Sequence, residues 1–157
     1  MSAQQSDGGL TLLNPFVSKT LKASDGETNT AAAAETEVAG FGALKEIIFE
    51  LEITSVSITS GTVNLTVWVQ RKTPSGQWDD MLALKALAMS NANAAVRHVA
   101  EFNSALGSAA TPAAIQDAGG TAPFAQRSTW LSDELRVKHQ LSAASTVTWT
   151  LKAKGRP

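Results

Sequence analysis

The chain of 157 residues contains no cysteine and no tyrosine, and only 17% of its residues are charged. Without cysteine there is no disulfide, no thiolate metal site and no cysteine nucleophile. Its 13 basic and 14 acidic side chains leave a net charge of −1, whereas nucleic-acid-binding proteins usually carry a clustered excess of Lys and Arg. No apolar run approaches the ~20 residues that a membrane-spanning helix needs. We therefore expect a neutral domain that binds neither nucleic acid nor a membrane.

Two segments differ in composition from the rest of the chain. Residues 1–15 are polar, contain Gly8-Gly9 and end in Asn14-Pro15, a pair that favours a turn. We expect either a flexible arm that is ordered only where something holds it, or a plain frayed terminus. Residues 103–130 are rich in Ala, Gly, Ser and Thr and lack an apolar period, which predicts a long loop or insertion. The remaining length fits one domain, expected over residues 16–157.

Most of that domain shows the period-two alternation typical of β-strands. Residues 44–54 and 62–72 each place apolar side chains on one face, and Ser60-Gly61 between them predicts an antiparallel hairpin. Residues 77–83 are expected to pair back on the second of these strands. Residues 135–141 and 147–153 alternate in the same way and predict a closing hairpin.

The other segments give weaker signals. We expect a first strand over residues 16–23 that ends at the Ser24-Asp25-Gly26 turn, a short irregular strand at residues 31–34, a further strand at residues 96–102, and a helical turn or loop at residues 82–89. About eight strands without strand–helix–strand alternation predict an all-β fold, an antiparallel β-sandwich or jelly roll.

The titratable side chains form no catalytic constellation in this pattern. His98 and His139 lie inside alternating strands, His139 on the apolar face, where a structural role is expected. Asp79 and Asp80 are neighbours that point to opposite faces of a strand, so we expect a turn or edge role for them. A further acidic set lies on one strand face, either solvated or in contact with a basic partner: Glu46, Glu50 and Glu52. We expect no catalytic residue, no metal and no cofactor.

Four tryptophans remain to be placed. Trp149 falls on the apolar face of its strand and is expected in the core. Trp68 falls on the polar face, and together with Ile48 and Val99, which also lie off the main apolar faces, it indicates a contact surface. The alternative is that a loop or another part of the chain covers it. Trp68, Trp78 or Trp130 would serve as stacking platforms in a carbohydrate-binding module, a further alternative.

Several segments, taken together and in order, resemble a family of small β-sandwich structural proteins of tailed-bacteriophage virions. The resemblance lies in Leu12-Leu13 followed by Lys19-Thr20, residues 42–49 leading into residues 51–57, Val67-Trp68-Val69-Gln70, the turn of residues 74–78, and residues 134–138 with residues 147–151.

The resemblance implies a non-enzymatic capsid decoration or cement protein, made in the bacterial host cytoplasm and located on the virion surface. Its implied partners are the major capsid protein lattice and further copies of itself, as a dimer or trimer. A tail or neck protein, such as a tail-tube subunit, is the alternative in the same setting. The expected interaction residues are Leu10, Leu12, Ile48, Trp68, Val99, Phe124 and Trp130.

Overall fold

The computed structural model describes residues 16–84, 87–90, 96–103 and 131–157. Within these ranges the chain forms ten β-strands and no helix. The strands are β1 Val17–Glu27, β2 Ala33–Ala34, β3 Val38–Ala39, β4 Glu46–Ile58, β5 Val63–Lys72, β6 Trp78–Ala83, β7 Leu87–Met89, β8 Val96–Asn103, β9 Glu134–Leu141 and β10 Ser145–Arg156. The predicted all-β class is confirmed. The predicted arm of residues 1–15 and all but the first residue of the predicted loop 103–130 lie outside the described residues.

The strands form two antiparallel sheets. Sheet A has the order β1-β10-β4-β8, and sheet B has the order β2-β9-β5-β6, with β3 also pairing with β9 and β7 with β5. The long β4 and β10 pair over nearly their whole length and form the centre of sheet A. In the part of the chain that the structure describes, no helix is long and apolar enough to cross a membrane.

The core lies between the inner faces of the two sheets and follows the alternation of the sequence. Strand β9 buries every second side chain, and β10 does the same from Val147 to Gly155. Trp149 is fully buried, as predicted. The largest fully buried apolar side chains come from sheet A (Ile47, Phe49, Leu51, Ile53, Trp149), from sheet B (Leu65, Met81, Met89, Leu135) and from Phe41 between β3 and β4. Each sheet thus buries its inner face, as is usual in a β-sandwich.

Both long hairpins predicted from the sequence are wrong in their pairing. Strands β4 and β5 are joined by a short turn, but β4 pairs with β10 and β8 whereas β5 pairs with β9, β6 and β7. Strands β9 and β10 are likewise consecutive and lie in different sheets. The physical reason is that each of these strands has one apolar face. This face is buried against the opposite sheet whether consecutive strands lie side by side in one sheet or in the two different sheets. The predicted pairing of β6 back on β5 is confirmed.

Two boundaries also differ from the sequence prediction. Strand β1 continues through Ser24-Asp25-Gly26, because two register shifts against β10 absorb these turn-prone residues as an irregular edge. Residues 82–89, predicted as a helical turn or loop, end β6 and contain β7. Pairing with β5 holds both segments in extended form and overrides their helix propensity. The short strand predicted near residues 31–34 is β2, and that predicted at residues 96–102 is β8.

Candidate interaction surface and a buried charged cluster

The outer face of sheet A exposes large apolar side chains. Ile48 on β4 is 47% exposed and Val99 on β8 is 53% exposed. Phe16, which directly precedes β1, is 52% exposed. Ile48 and Val99 were predicted off the core faces, and both lie there. Phe16 was predicted as part of the first strand, but its exposure was not predicted, because nothing in the alternation shows that this ring lies outside the sandwich.

Phe16 and Ile48 lie on a shared groove at one end of this face. The groove has a volume of about 340 Å³ and is lined by Phe16, Glu46, Ile48, Lys154, Gly155 and Arg156. Strand β10 runs between the two apolar residues, since it pairs with β1 on one side and β4 on the other. The result is an apolar opening with charged groups at its rim.

Opposite charges on adjacent strands flank this opening. Strand β10 carries Lys152, Lys154 and Arg156 on the outer face. Arg156 lies opposite Glu46 of β4, and its Nε donates to the Glu46 carboxylate at 2.5 Å. This hydrogen bond and the positive charge of Arg156 lower the pKa of Glu46 below its usual 4.5. Lys152 lies opposite Glu50 in the same register, so cross-strand pairs of opposite charge recur along the face.

The exposure predicted for Trp68 is wrong. Its side chain is only 6% exposed, although it lies on the side of β5 that faces away from the core. Its neighbour on that side, Gln70, and the residue that Gln70 pairs with, Asp80, are fully buried as well. The outer face of sheet B is therefore covered at this place, which was the alternative considered for Trp68. Alternation shows to which side of a sheet a residue points, but not what lies on that side.

The two neighbouring aspartates do not have the turn or edge role predicted for them, since both are buried within β6. Asp79 accepts hydrogen bonds from Arg71, with Nη2 at 2.7 Å. Asp80 accepts one from the Gln70 amide at 2.7 Å. As predicted, they do not form a paired-carboxylate site. They are held by separate partners because their side chains leave the strand on opposite sides.

A group of charged residues around a buried lysine was not predicted, and its carboxylates range from nearly buried Glu27 to exposed Asp25. Lys22 is only 2% exposed, directly after the buried Leu21. Two consecutive buried residues break the alternation of β1, and register shifts against β10 lie on both sides of Lys22. Such a bulge turns a side chain to the other face of its strand. The bulge therefore places the Lys22 ammonium between the sheets.

Three carboxylates surround this ammonium. Lys22 Nζ donates a hydrogen bond to the Asp25 carboxylate. It lies 2.9 Å from Glu27 Oε1 and 3.5 Å from Glu35 Oε1. It also lies 5.1 Å from the centre of a Trp149 ring, within cation–π distance. Burial disfavours the charged form of Lys22. The hydrogen bonds that Lys22 donates to Asp25 and Glu27, together with the charge of Glu35, outweigh this effect, and the pKa of Lys22 lies above its ordinary 10.5.

His139 of β9 completes the cluster from sheet B. Its Nε2 lies 2.9 Å from Glu35 Oε1 and 3.8 Å from Glu27 Oε2. Its ring meets Trp149 edge-on at 5.3 Å. The backbone N–H of Glu35 donates to the carbonyl of Val137 at 2.8 Å, which fixes Glu35 beside β9. The only sequence signal for this cluster was His139 on an apolar face, since a buried imidazole needs a polar partner.

The cluster connects the two sheets, since Lys22 and Glu27 belong to β1 of sheet A and His139 to β9 of sheet B. Glu27, Glu35 and His139 each offer one atom within 4.8 Å of the others, which is also compatible with metal ligation. The Lys22 ammonium already binds both glutamates, however, and would repel a second cation at the same carboxylates. We therefore assign the cluster a structural role.

Comparison with known proteins adds no assignment: no protein-family model matches the chain, and no curated protein matches it in sequence. Of the seven predicted interaction residues, Ile48 and Val99 lie on the outer face of sheet A, and Trp68 is buried on the outer side of sheet B. The others, Leu10, Leu12, Phe124 and Trp130, lie outside the described residues.

Proposed function

We propose that this protein is a non-enzymatic structural protein of a tailed-phage virion, a capsid decoration or cement protein. It binds the outer head lattice and stabilises it, and its partners are the major capsid protein and further copies of itself. The proposal starts from the resemblance of the strand and turn segments. The observation that carries it is the exposed apolar residues on the outer face of sheet A, above all Val99 at 53% on the edge strand β8.

Two features of that face support a role in binding another protein. Large apolar side chains are exposed on a rigid sheet, so they are already in place before binding. Rows of opposite charge lie beside them, which provides orientation and partner selection. The surroundings of the described tryptophans argue against the carbohydrate-binding alternative. Trp68 is buried, and the Arg136 guanidinium lies 4.4 Å from the centre of the Trp78 ring, over the surface that a sugar would need.

The test is binding of the purified protein to expanded heads that lack it, followed by imaging and heating of the shells. We expect a fixed number of copies at one class of lattice position and shells that resist higher temperatures. Val99→Asp should weaken this binding by about tenfold or more, a loss of about 1.4 kcal/mol. Thr146→Asp is the matched control, because it places the same carboxylate at an exposed position far along the same face.

Equal binding by the Val99→Asp and Thr146→Asp proteins would remove the outer face of sheet A from the proposal. Location of the protein in the tail alone, or a six-fold ring or tube in negative stain, would replace the decoration role with the tail-protein alternative. Absence of the protein from virions would overturn the proposal altogether.

A further inference from the structure

We propose that the groove on sheet A is half of a symmetric contact with a second copy of this chain, in which Ile48 of each copy enters the groove of the other. The groove is the one lined by Phe16, Glu46, Ile48, Lys154, Gly155 and Arg156. The proposal assigns this face to one of the partners proposed above, a further copy of the protein. It concerns the free protein, so it does not depend on the virion role.

The charges on this face are self-complementary. Strand β10 carries basic side chains on the outer face, the neighbouring β4 carries acidic ones, and Arg156 lies opposite Glu46 in register. A two-fold axis parallel to these strands and between them places β10 of each copy over β4 of the other. Opposite charges then face each other across the contact. A two-fold axis across the strands would instead place β10 over β10, with like charges opposed.

The same axis gives the apolar fit. It leaves positions along the strands unchanged, so each residue of β10 comes to lie over its own register partner on β4 of the second copy. Lys154 is the register partner of Ile48 and lines the groove. Ile48 of the second copy therefore lies over the groove of the first, and the reverse contact follows from the symmetry. A contact of this kind is isologous and closes with two copies.

The groove suits an apolar side chain. Its volume of about 340 Å³ exceeds that of an isoleucine side chain, and Phe16 and Ile48 give it apolar walls. These two side chains are 52% and 47% exposed, so pairing removes apolar surface of both copies from water. Lys154 Nζ lies 5.1 Å from the centre of the Phe16 ring, on the side of β10 away from β4. The ammonium therefore leaves the side of the groove at Ile48 open.

The ion pair at the rim of the groove is compatible with this contact. Arg156 Nε donates to the Glu46 carboxylate of the same chain at 2.5 Å. A carboxylate accepts several hydrogen bonds, and an arginine has five N–H donors. Arg156 of the second copy can therefore bind the same carboxylate, and two arginines and two glutamates then alternate around the axis.

The first test is the mass of the free protein, measured by analytical ultracentrifugation over a series of concentrations. We expect a dimer, and we expect Ile48→Asp to weaken pairing by about tenfold or more, because it places a carboxylate in an apolar groove. Ser60→Asp is the matched control and should pair as the wild type does, since Ser60 is exposed in the turn beyond the other end of β4. Circular dichroism checks that each variant is folded.

Exchange of charges tests the orientation of the two copies. Arg156→Glu and Glu46→Arg should each weaken pairing by about tenfold or more, because like charges then meet across the axis. An equal mixture of the two variants should restore pairing as a mixed dimer, seen by native mass spectrometry, because opposite charges again face each other. This restoration also shows that both variants are folded.

Three results would overturn the proposal: a wild type that is a monomer or a trimer at every concentration, equal pairing by Ile48→Asp and Ser60→Asp, or a mixture that forms no mixed dimer. Paired copies bind a lattice at two points, so a substitution on this face that separates them also weakens binding to heads. The tests of pairing use no heads. A dimer that does not bind heads would therefore overturn the virion role and keep the contact, whereas a monomer that binds heads would do the reverse.

Discussion

Lys22 brings a charged ammonium into the space between the sheets, where an isolated charge is very unfavourable. Three carboxylates and the Trp149 ring compensate it. A buried ion pair of this kind often stabilises a protein no more than well-packed apolar residues do. Removing one partner is a different matter, because the other charge then stays buried without compensation. The charge balance at Lys22 is therefore more important than any one of its contacts.

Lys22→Met keeps the length of the side chain and removes the charge that compensates Glu27 and Glu35. We expect the free energy of unfolding to fall by about 3–5 kcal/mol, as for other broken buried pairs. Urea unfolding measures this change. Lys152→Met is the control, because Lys152 lies on the exposed face of β10, where substitutions usually change stability by about 0.5 kcal/mol or less.

A second substitution separates lost charge from lost packing. In the Lys22→Met/Glu27→Gln protein one of the uncompensated carboxylates is replaced by a neutral amide. The double variant should therefore be more stable than Lys22→Met alone. A double variant that is less stable than Lys22→Met would show that packing, rather than charge balance, decides the stability of this cluster.

At the scale of the strands, regular alternation made most elements predictable from the sequence. The buried positions of β9 and β10 follow it closely, including those of Trp149 and His139. The burial of Lys22 was not predictable, because it results from a bulge. A bulge depends on how β1 meets β10 and leaves no mark in the order of polar and apolar residues in the sequence. The pairing of β4 and β5 failed for a related reason. A strand with one apolar face satisfies the same pattern in either sheet.

Close approach of β10 and β4 at Gly155 gives a prediction at this scale. A Cβ at position 155 would lie 2.7 Å from the Glu46 carbonyl oxygen and 2.8 Å from Leu44 Cδ1. The carbonyl belongs to β4 and cannot move without disturbing the pairing. Gly155→Ala should therefore lower the free energy of unfolding by about 1–3 kcal/mol, the usual cost of overpacking.

Gly26→Ala is the matched control for this substitution, since Gly26 also lies in a strand of sheet A. Its Cβ would meet only side chains, the nearest being Thr146 Cγ2 at 3.3 Å, and these can adjust. Denaturant unfolding of the two variants should therefore show the larger loss at Gly155. Equal losses would mean that the contact with the Glu46 carbonyl relaxes at little cost.

At the scale of the whole molecule, two kinds of contact between described residues hold the sheets together. The apolar core lies between them, and the Lys22 cluster connects β1 of sheet A to β9 of sheet B. Composition and alternation were sufficient to predict a sandwich, because they determine how much surface is apolar and on which side of each strand. They were insufficient for the surface itself. The covered Trp68 and the exposed Phe16 depend on how distant segments meet, and the virion role remains a prediction.

The cluster also determines how the stability of the whole molecule responds to alkaline pH. The pKa of Lys22 in the folded protein lies above the ordinary 10.5 that it has in the unfolded chain. The folded state thus holds this proton more tightly, so the stabilisation is complete below about pH 10.5 and is lost as the pH rises through the folded pKa. The pKa of Lys72 is also raised, by its hydrogen bonds to Glu134 and Glu37 on the surface. The chain has no tyrosine to titrate in the same range.

We therefore expect the free energy of unfolding of the wild-type protein, measured by urea titration from about pH 9 to about pH 12, to fall more steeply than that of Lys22→Met. The difference between the two proteins should shrink with rising pH, because both then lack a charge at position 22. Lys72→Met separates the surface contribution and should retain the steep fall. If the free energies of unfolding of the wild type and of Lys22→Met fall in parallel with pH, the Lys22 ammonium is no more stable in the folded protein than in the unfolded chain. The core alone would then hold the two sheets together at this edge.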